Sequence, residues 1–200
     1  MESLQAPSFS SSASSNSNAA INYRERNWLD LPRDVVLSIF VKLDRTDLLV
    51  HAYNVCTTWR NISKDPFLYC TINMSDLGDL ETSSELEVLF HCAIDYGCDD
   101  AIDINIEYFG TDDLLSYITN SASHLRWLRL ACCYSVTDGG LCVLAEKLSQ
   151  LEELDISISG CLSHESLEVI GRCCPQLKTF KFNIQAPLLR PFQREHDHQI

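Results

Sequence analysis

The sequence predicts a mixed chain, α+β in its opening module and an α/β solenoid beyond it: three small helices, then a short horseshoe with a parallel sheet on its concave side and helices on its convex side. Three observations carry this. Residues 28–70 are dense in apolar residues at helical spacing and contain no glycine. A period of 26 residues joins Leu125, Leu151 and Leu177. Within each period, alternating apolar residues give way to apolar residues three and four apart, a strand followed by a helix that must stack on its neighbours to bury its face.

Composition bounds the function. With 46% hydrophobic residues in a 200-residue chain, one or two packed domains are expected. Acidic residues number 28 against 15 basic ones, a formal charge of −13, so the chain repels phosphate backbones and anionic lipid, and neither nucleic acid nor membrane is an expected partner. No stretch reaches membrane-spanning length. The ten cysteines would suggest a disulfide framework in a short secreted protein, but the N-terminus offers no apolar signal segment, and a reducing setting in the nucleus or cytoplasm is expected. The adjacent pairs Cys132/Cys133 and Cys173/Cys174 are poorly spaced for zinc and no C-x-x-C occurs, so no metal is expected and the cysteines read as small buried hydrophobes.

Taken in order, residues 8–18, SFSSSASSNSN, hold seven serines and two asparagines and cannot bury enough apolar area to offset the entropy of ordering, so residues 1–26 are expected to be disordered. Glu2 and the scarcity of arginine before Arg24 weigh against a plastid transit peptide. Val36, Ile39, Phe40 and Leu43 follow the i, i+3, i+4, i+7 rule, which predicts a helix over 33–43 with Pro32 near its first turn. A second helix is expected from Thr46, its N-cap, carrying Leu48, Leu49 and Ala52; Val55, Trp59 and Ile62 stripe a third, which Asp65-Pro66 stops. Three helices in so few residues make a small core that needs a neighbour, and on general grounds Trp59 belongs to that core.

The repeats begin with a longer unit: Ile72 and Met74 as its strand, SSELEVLFHCAI as its helix, opened by a capping box of Ser84 and Glu87, and 30 residues to Ile102. Leu128, Leu154 and Phe180 then superimpose, as do Leu130, Ile156 and Phe182; one step earlier the same frame finds Ile102, Ile104, Leu115 and Ile118, with Thr111-Asp112 falling on Thr137-Asp138. The expected units lie near 71–98, 99–124, 125–150 and 151–176, with a partial one at 177–183 and an irregular tail at 184–200. In that tail the frame calls for apolar residues where Gln193 and His196 stand, and Pro187 and Pro191 oppose a helix.

Residues 27–70 resemble an F-box, the module that docks substrate receptors onto the Skp-type adaptor of cullin-RING (SCF) ubiquitin ligases. The likeness runs through Leu31-Pro32, Val36, Ile39-Phe40, Leu43, Asp47-Leu48-Leu49, Val55-Cys56, Trp59-Arg60, Asp65-Pro66 and Leu68-Tyr69, with tyrosine where the family often has tryptophan. The later units resemble cysteine-containing leucine-rich repeats, with L-x-x-L-x-L-x-x-C at Leu125 to Cys133, V-T-D-x-x-L at Val136 to Leu141 and C-P-x-L at Cys174 to Leu177; Ser159 and His164 depart from the pattern. Together the chain resembles the plant-type F-box/leucine-rich-repeat proteins. That resemblance implies a non-catalytic receptor without cofactor, holding the adaptor, and through it a cullin, at Leu31, Pro32, Val36, Ile39, Phe40, Leu48, Val55 and Trp59, some of which serve the small core instead.

On a strand, side chains alternate, so Trp127, Arg129 and Ala131 are expected on the solvent face, with Ala101, Asp103 and Asn105, then Glu153, Asp155 and Ser157, then Thr179, Lys181 and Asn183 as equivalents. One column reads Asp103, Arg129, Asp155, Lys181, charges that either satisfy one another or read a protein substrate. Trp127, Arg129 and Asp155 are the candidate substrate residues, although Trp127 could equally lie under a loop. Two further readings stand beside the receptor: an adaptor-bound scaffold or shortened competitor that presents no substrate, and a thiol enzyme built on a cysteine–histidine pair.

Overall fold

The structure, a computed structural model, describes residues 28–75, 82–157 and 163–183. The expectations for residues 1–26 and 184–200, and for Ser159, lie outside these. Contacts divide the chain into two compact units, Met1–Leu31 and Pro32–Ile200. The described part of the first is one 3-10 turn, Trp28–Asp30, closed where Leu31 N donates to Trp28 O at 3.4 Å.

The second unit opens with α1, Arg33–Phe40, which buries Val36 and Phe40, one turn apart on the same face. The helix stops at Phe40 rather than at 43, because Lys42 N and Leu43 N turn back three residues, to Ile39 O and Phe40 O, in a tightened last turn. Next, Asp47–Ala52 is π-helical and runs into α2, Tyr53–Val55. Thr46 does not cap it: Thr46 is itself helical, and the Asp44 carboxylate accepts from Asp47 N at 2.7 Å. Leu48, Leu49 and Ala52 are buried as their spacing predicts.

Val55 is not part of the third helical stripe. Cys56 swings into extended backbone, φ −161° and ψ 171°, and its Sγ accepts from Trp59 N at 3.4 Å to cap α3, Thr57–Ile62. That break leaves Val55 in solvent while Ile62 turns inward. Asp65 then caps a 3-10 turn, Pro66–Tyr69, accepting from Phe67 N at 3.0 Å, and pairs with Arg33.

The strands β1 (Thr71–Met74), β2 (Asp103–Glu107), β3 (Trp127–Ala131), β4 (Glu153–Ser157) and β5 (Thr179–Asn183) form a parallel sheet in sequential order. They alternate with α4 (Ser83–Gly97), α5 (Asp112–Ser121), α6 (Asp138–Lys147) and α7 (His164–Cys173), as parallel pairing requires of its crossovers. The cap of α4 is Thr82, whose hydroxyl accepts from Glu85 N at 3.3 Å, so the expected box of Ser84 and Glu87 sits two residues too late. Side chains on the helix side of the sheet, among them Ile72, Ile104, Ile106, Leu128, Leu130, Leu154 and Ile156, are fully buried.

The ladder corrects the frame at β2. Its paired residues are Ile72, Ile104, Leu128, Leu154 and Phe180, spaced 32, 24, 26 and 26 apart, so Leu128 lies beside Ile104 and not Ile102. The compensation is local: β2 reaches α5 in four residues, 108–111, whereas β3 reaches α6 in six, 132–137. Thr111 and Thr137 therefore remain equivalent, each capping its helix. Neighbouring units are tied at these caps: Asp112 accepts from Thr137 N at 2.8 Å and from its hydroxyl at 2.6 Å, and Asp138 accepts from Ser163 N at 2.8 Å. The chain of carboxylates ends at His164, which occupies the next equivalent position and pairs with Glu168 instead.

Candidate functional site

Two surfaces carry the functional expectations. On the helical module, Val36, Phe40 and Leu48 are buried in the chain's own core, and the Phe40 and Trp59 rings meet edge to face with centroids 5.2 Å apart. Ile39 and Val55 face solvent, 36% and 59% exposed, with Pro32 also exposed and Leu31 and Trp59 partly so. Val35, one turn before Ile39 and 39% exposed, extends that apolar stripe on α1; the same i, i+4 spacing could have revealed it.

The same module holds a polar anchor that pattern reading did not find. Arg45 is buried, its guanidinium donating to Leu68 O and, at 2.8 Å, to Leu43 O while lying 5.9 Å from the centre of the Tyr69 ring. Burial lowers the Arg45 pKa and raises that of Tyr69. Tyr69 is wholly buried and its hydroxyl donates to Ser63 O at 2.6 Å. Its ring also meets that of Tyr96 on α4, 5.6 Å between centroids, and Lys64 lies over both Tyr53 and Tyr96 at 5.4 and 5.7 Å. The helical module is thereby packed directly on the first repeat helix.

The second surface is the open face of the sheet. Register places Thr71, Asp103, Trp127, Glu153 and Thr179 in one row and Asn73, Asn105, Arg129, Asp155 and Lys181 in the next. Asp103 therefore neighbours Trp127 and leaves the charged column to Asn105, which donates to Asn73 Oδ1 at 2.9 Å. Ala101 and Ala131, expected in solvent, are buried. Most of the charges here satisfy one another: Arg129 lies 3.8 Å from Asp155, and Lys181 lies 2.9 Å from Glu153 and 3.9 Å from Asp155. Trp127 is partly exposed, and the Arg126 guanidinium sits 5.5 Å from its centre while pairing with Glu152 at 2.5 Å. Trp127, Arg129 and Asp155 thus come together in a depression of about 400 Å³ that Asp103, Asn105, Glu153 and Lys181 also line.

The described cysteines are reduced, and only Cys133 and Cys174 are fully buried, so the expectation of buried hydrophobes holds for the second member of each adjacent pair and not for the rest. Cys133, at the cysteine position of the repeat, is pushed up to about 11 by burial, the opposite of what a thiolate nucleophile requires. Gly110 permits this packing, since a Cβ there would stand 2.6 Å from Cys133 Sγ.

The chain matches the F-box-like family over residues 28–75. It is 42% identical over 158 residues to F-box protein SKIP19 of Arabidopsis thaliana, an alignment covering 78% of this chain and 52% of that protein. It is 38% identical over 160 residues to putative F-box/LRR-repeat protein 23 of the same plant, covering 79% of this chain and 35% of the relative. Putative F-box/LRR-repeat protein 9 of Arabidopsis thaliana is 35% identical over 178 residues, covering 87% of this chain and 72% of that protein. The chain spans about half the length or less of the first two of these curated relatives.

Proposed function

Because the chain belongs to the plant F-box/leucine-rich-repeat family, whose members generally act in SCF ubiquitin ligases as substrate adaptors and not as catalysts, we propose that it is a substrate-recognition subunit of such a ligase. In this reading the F-box helices hold a Skp-type adaptor, and through it a cullin, in the nucleus or cytoplasm. The repeats form a short curved solenoid whose sheet lines the concave side and holds a protein substrate. Transfer then follows from effective concentration: the receptor brings a substrate lysine near a ubiquitin-charged enzyme, and the receptor itself does no chemistry.

The observation that carries the reading is the apolar set left in solvent on the F-box helices, Val35, Ile39 and Val55, beside the buried Val36, Phe40 and Leu48 of the same module. Exposed side chains of this kind are cheap to desolvate against a partner and costly to leave in water. Val36, Phe40 and Leu48 support the surface from beneath, and Trp59 serves both core and edge. A pull-down with the plant adaptor tests this: Ile39→Asp and Val55→Asp should each weaken binding tenfold or more, about 1.4 kcal/mol, with an unchanged melting midpoint. Undiminished adaptor binding by both variants would overturn the docking assignment. Adaptor-dependent ubiquitination in a reconstituted ligase then separates a receptor from a scaffold.

A further inference from the structure

Within the open face of the sheet, the charges divide into two classes. Arg129, Asp155, Lys181 and Glu153 form a connected set of ion pairs, and Ser157 donates to Asp155 at 2.7 Å. Asp103 has no such partner. Its carboxylate is half-buried beside the Trp127 ring, and no cation among the described residues pairs with it. Glu153 flanks the same ring from the other side, one strand beyond.

We propose that Asp103, Trp127 and Glu153 form a subsite for a cationic side chain, an arginine or lysine on an extended segment of the protein partner. This rests on the reading that the sheet face holds that partner. Three features argue for it. The depression of about 400 Å³ around these residues has room for a long side chain but not for a folded domain. Trp127, whose ring attracts cations, lines it, and the ring already holds one guanidinium, that of Arg126, which does not line the depression. Of its carboxylates only Asp103 lacks a cation, Glu153 being paired with Lys181, so an incoming cation gains a charge-assisted hydrogen bond at Asp103 without breaking an existing pair. The overall charge of −13 favours the approach of such a segment and disfavours an acidic one.

The test uses the full chain, labelled with nitrogen-15, and three probes: the acetylated and amidated tripeptides Gly-Arg-Gly, Gly-Lys-Gly and Gly-citrulline-Gly. The Trp127 indole resonance, identified by its loss in Trp127→Phe, should shift saturably with the arginine or lysine peptide and not with the uncharged citrulline peptide. Asp103→Asn should weaken that binding about fivefold or more, the scale of one partly exposed charge pair, without lowering the melting midpoint. An equal response to citrulline, full binding by Asp103→Asn, or no saturable shift at Trp127 overturns the subsite. Adaptor pull-down on the same preparation keeps the two failures apart: a chain that holds the adaptor but not the cationic probes refutes the subsite alone, whereas loss of adaptor binding refutes the receptor reading itself.

Discussion

A tyrosine stands at position 69 where the family often has tryptophan, and its hydroxyl decides what the exchange means. Because the group is buried and donates to Ser63 O, Tyr69→Phe leaves a buried carbonyl without its donor and should cost about 1–2 kcal/mol, read as a lower urea midpoint with unchanged slope. Two carboxylates should respond oppositely to pH. Burial and then Glu153 raise the Asp103 pKa above its unfolded value, so the folded chain loses stability as pH climbs from the unfolded value through the folded one. Asp103→Asn should therefore raise the melting midpoint at pH 7 and give no advantage below the usual carboxylate range; Arg129 and Lys181, the nearby cations, are engaged with Asp155 and Glu153 and do not offset it. Asp138 runs the other way. Hydrogen bonds from Ser166 and Ser163 lower its pKa, stability from it is present above the unfolded value and lost as acid reaches the folded one, and Asp138→Asn should lower the midpoint at pH 7 but not in acid.

Between elements, the caps act as rivets. Gly140 lies where a Cβ would stand 2.1 Å from Asp112 Oδ1, so Gly140→Ala must displace the carboxylate from Thr137 and should cost about 1–3 kcal/mol, with faster hydrogen exchange at the start of α6. Asp112→Ala should reproduce that exchange pattern without the clash. The Thr-Asp pairs were legible in sequence, as were the strand order's repeating basis and the buried ladder from Leu128 to Ile156. The frame at β2 was not, because Ile102, Ile104 and Ile106 alternate over a span long enough for a two-residue slip to keep every apolar residue on the same face. Only the shorter turn after β2 reveals it, and turns carry no apolar period. The break at Cys56 was hidden for a related reason: cysteine is a rare N-cap, so nothing in Val55-Cys56 announces that one helix ends and another begins. Trp127, Arg129 and Asp155 were placed correctly on one face, while Asp103 reached its neighbour Trp127 only through the corrected register.

For the described residues from Pro32 onward, F-box helices and repeats share one continuous packing, and heating should melt them in a single transition by both circular dichroism and tryptophan fluorescence. Two separated midpoints would show that the junction around Tyr69 is loose. The tightness of that junction also has a mechanical meaning. From β1 to β5 the sheet advances four strand spacings of about 4.8 Å, roughly 19 Å, so a tilt of about 10° at the base would swing the far strand by about 3 Å. With Tyr69, Arg45 and Lys64 packed at the base, the sheet is expected to act as a stiff lever whose tip holds its bearing. In a ligase of the kind proposed, such a lever would measure reach: the partner's grip position along the strands, and not thermal wobble of its holder, would set which lysines pass within range of transfer.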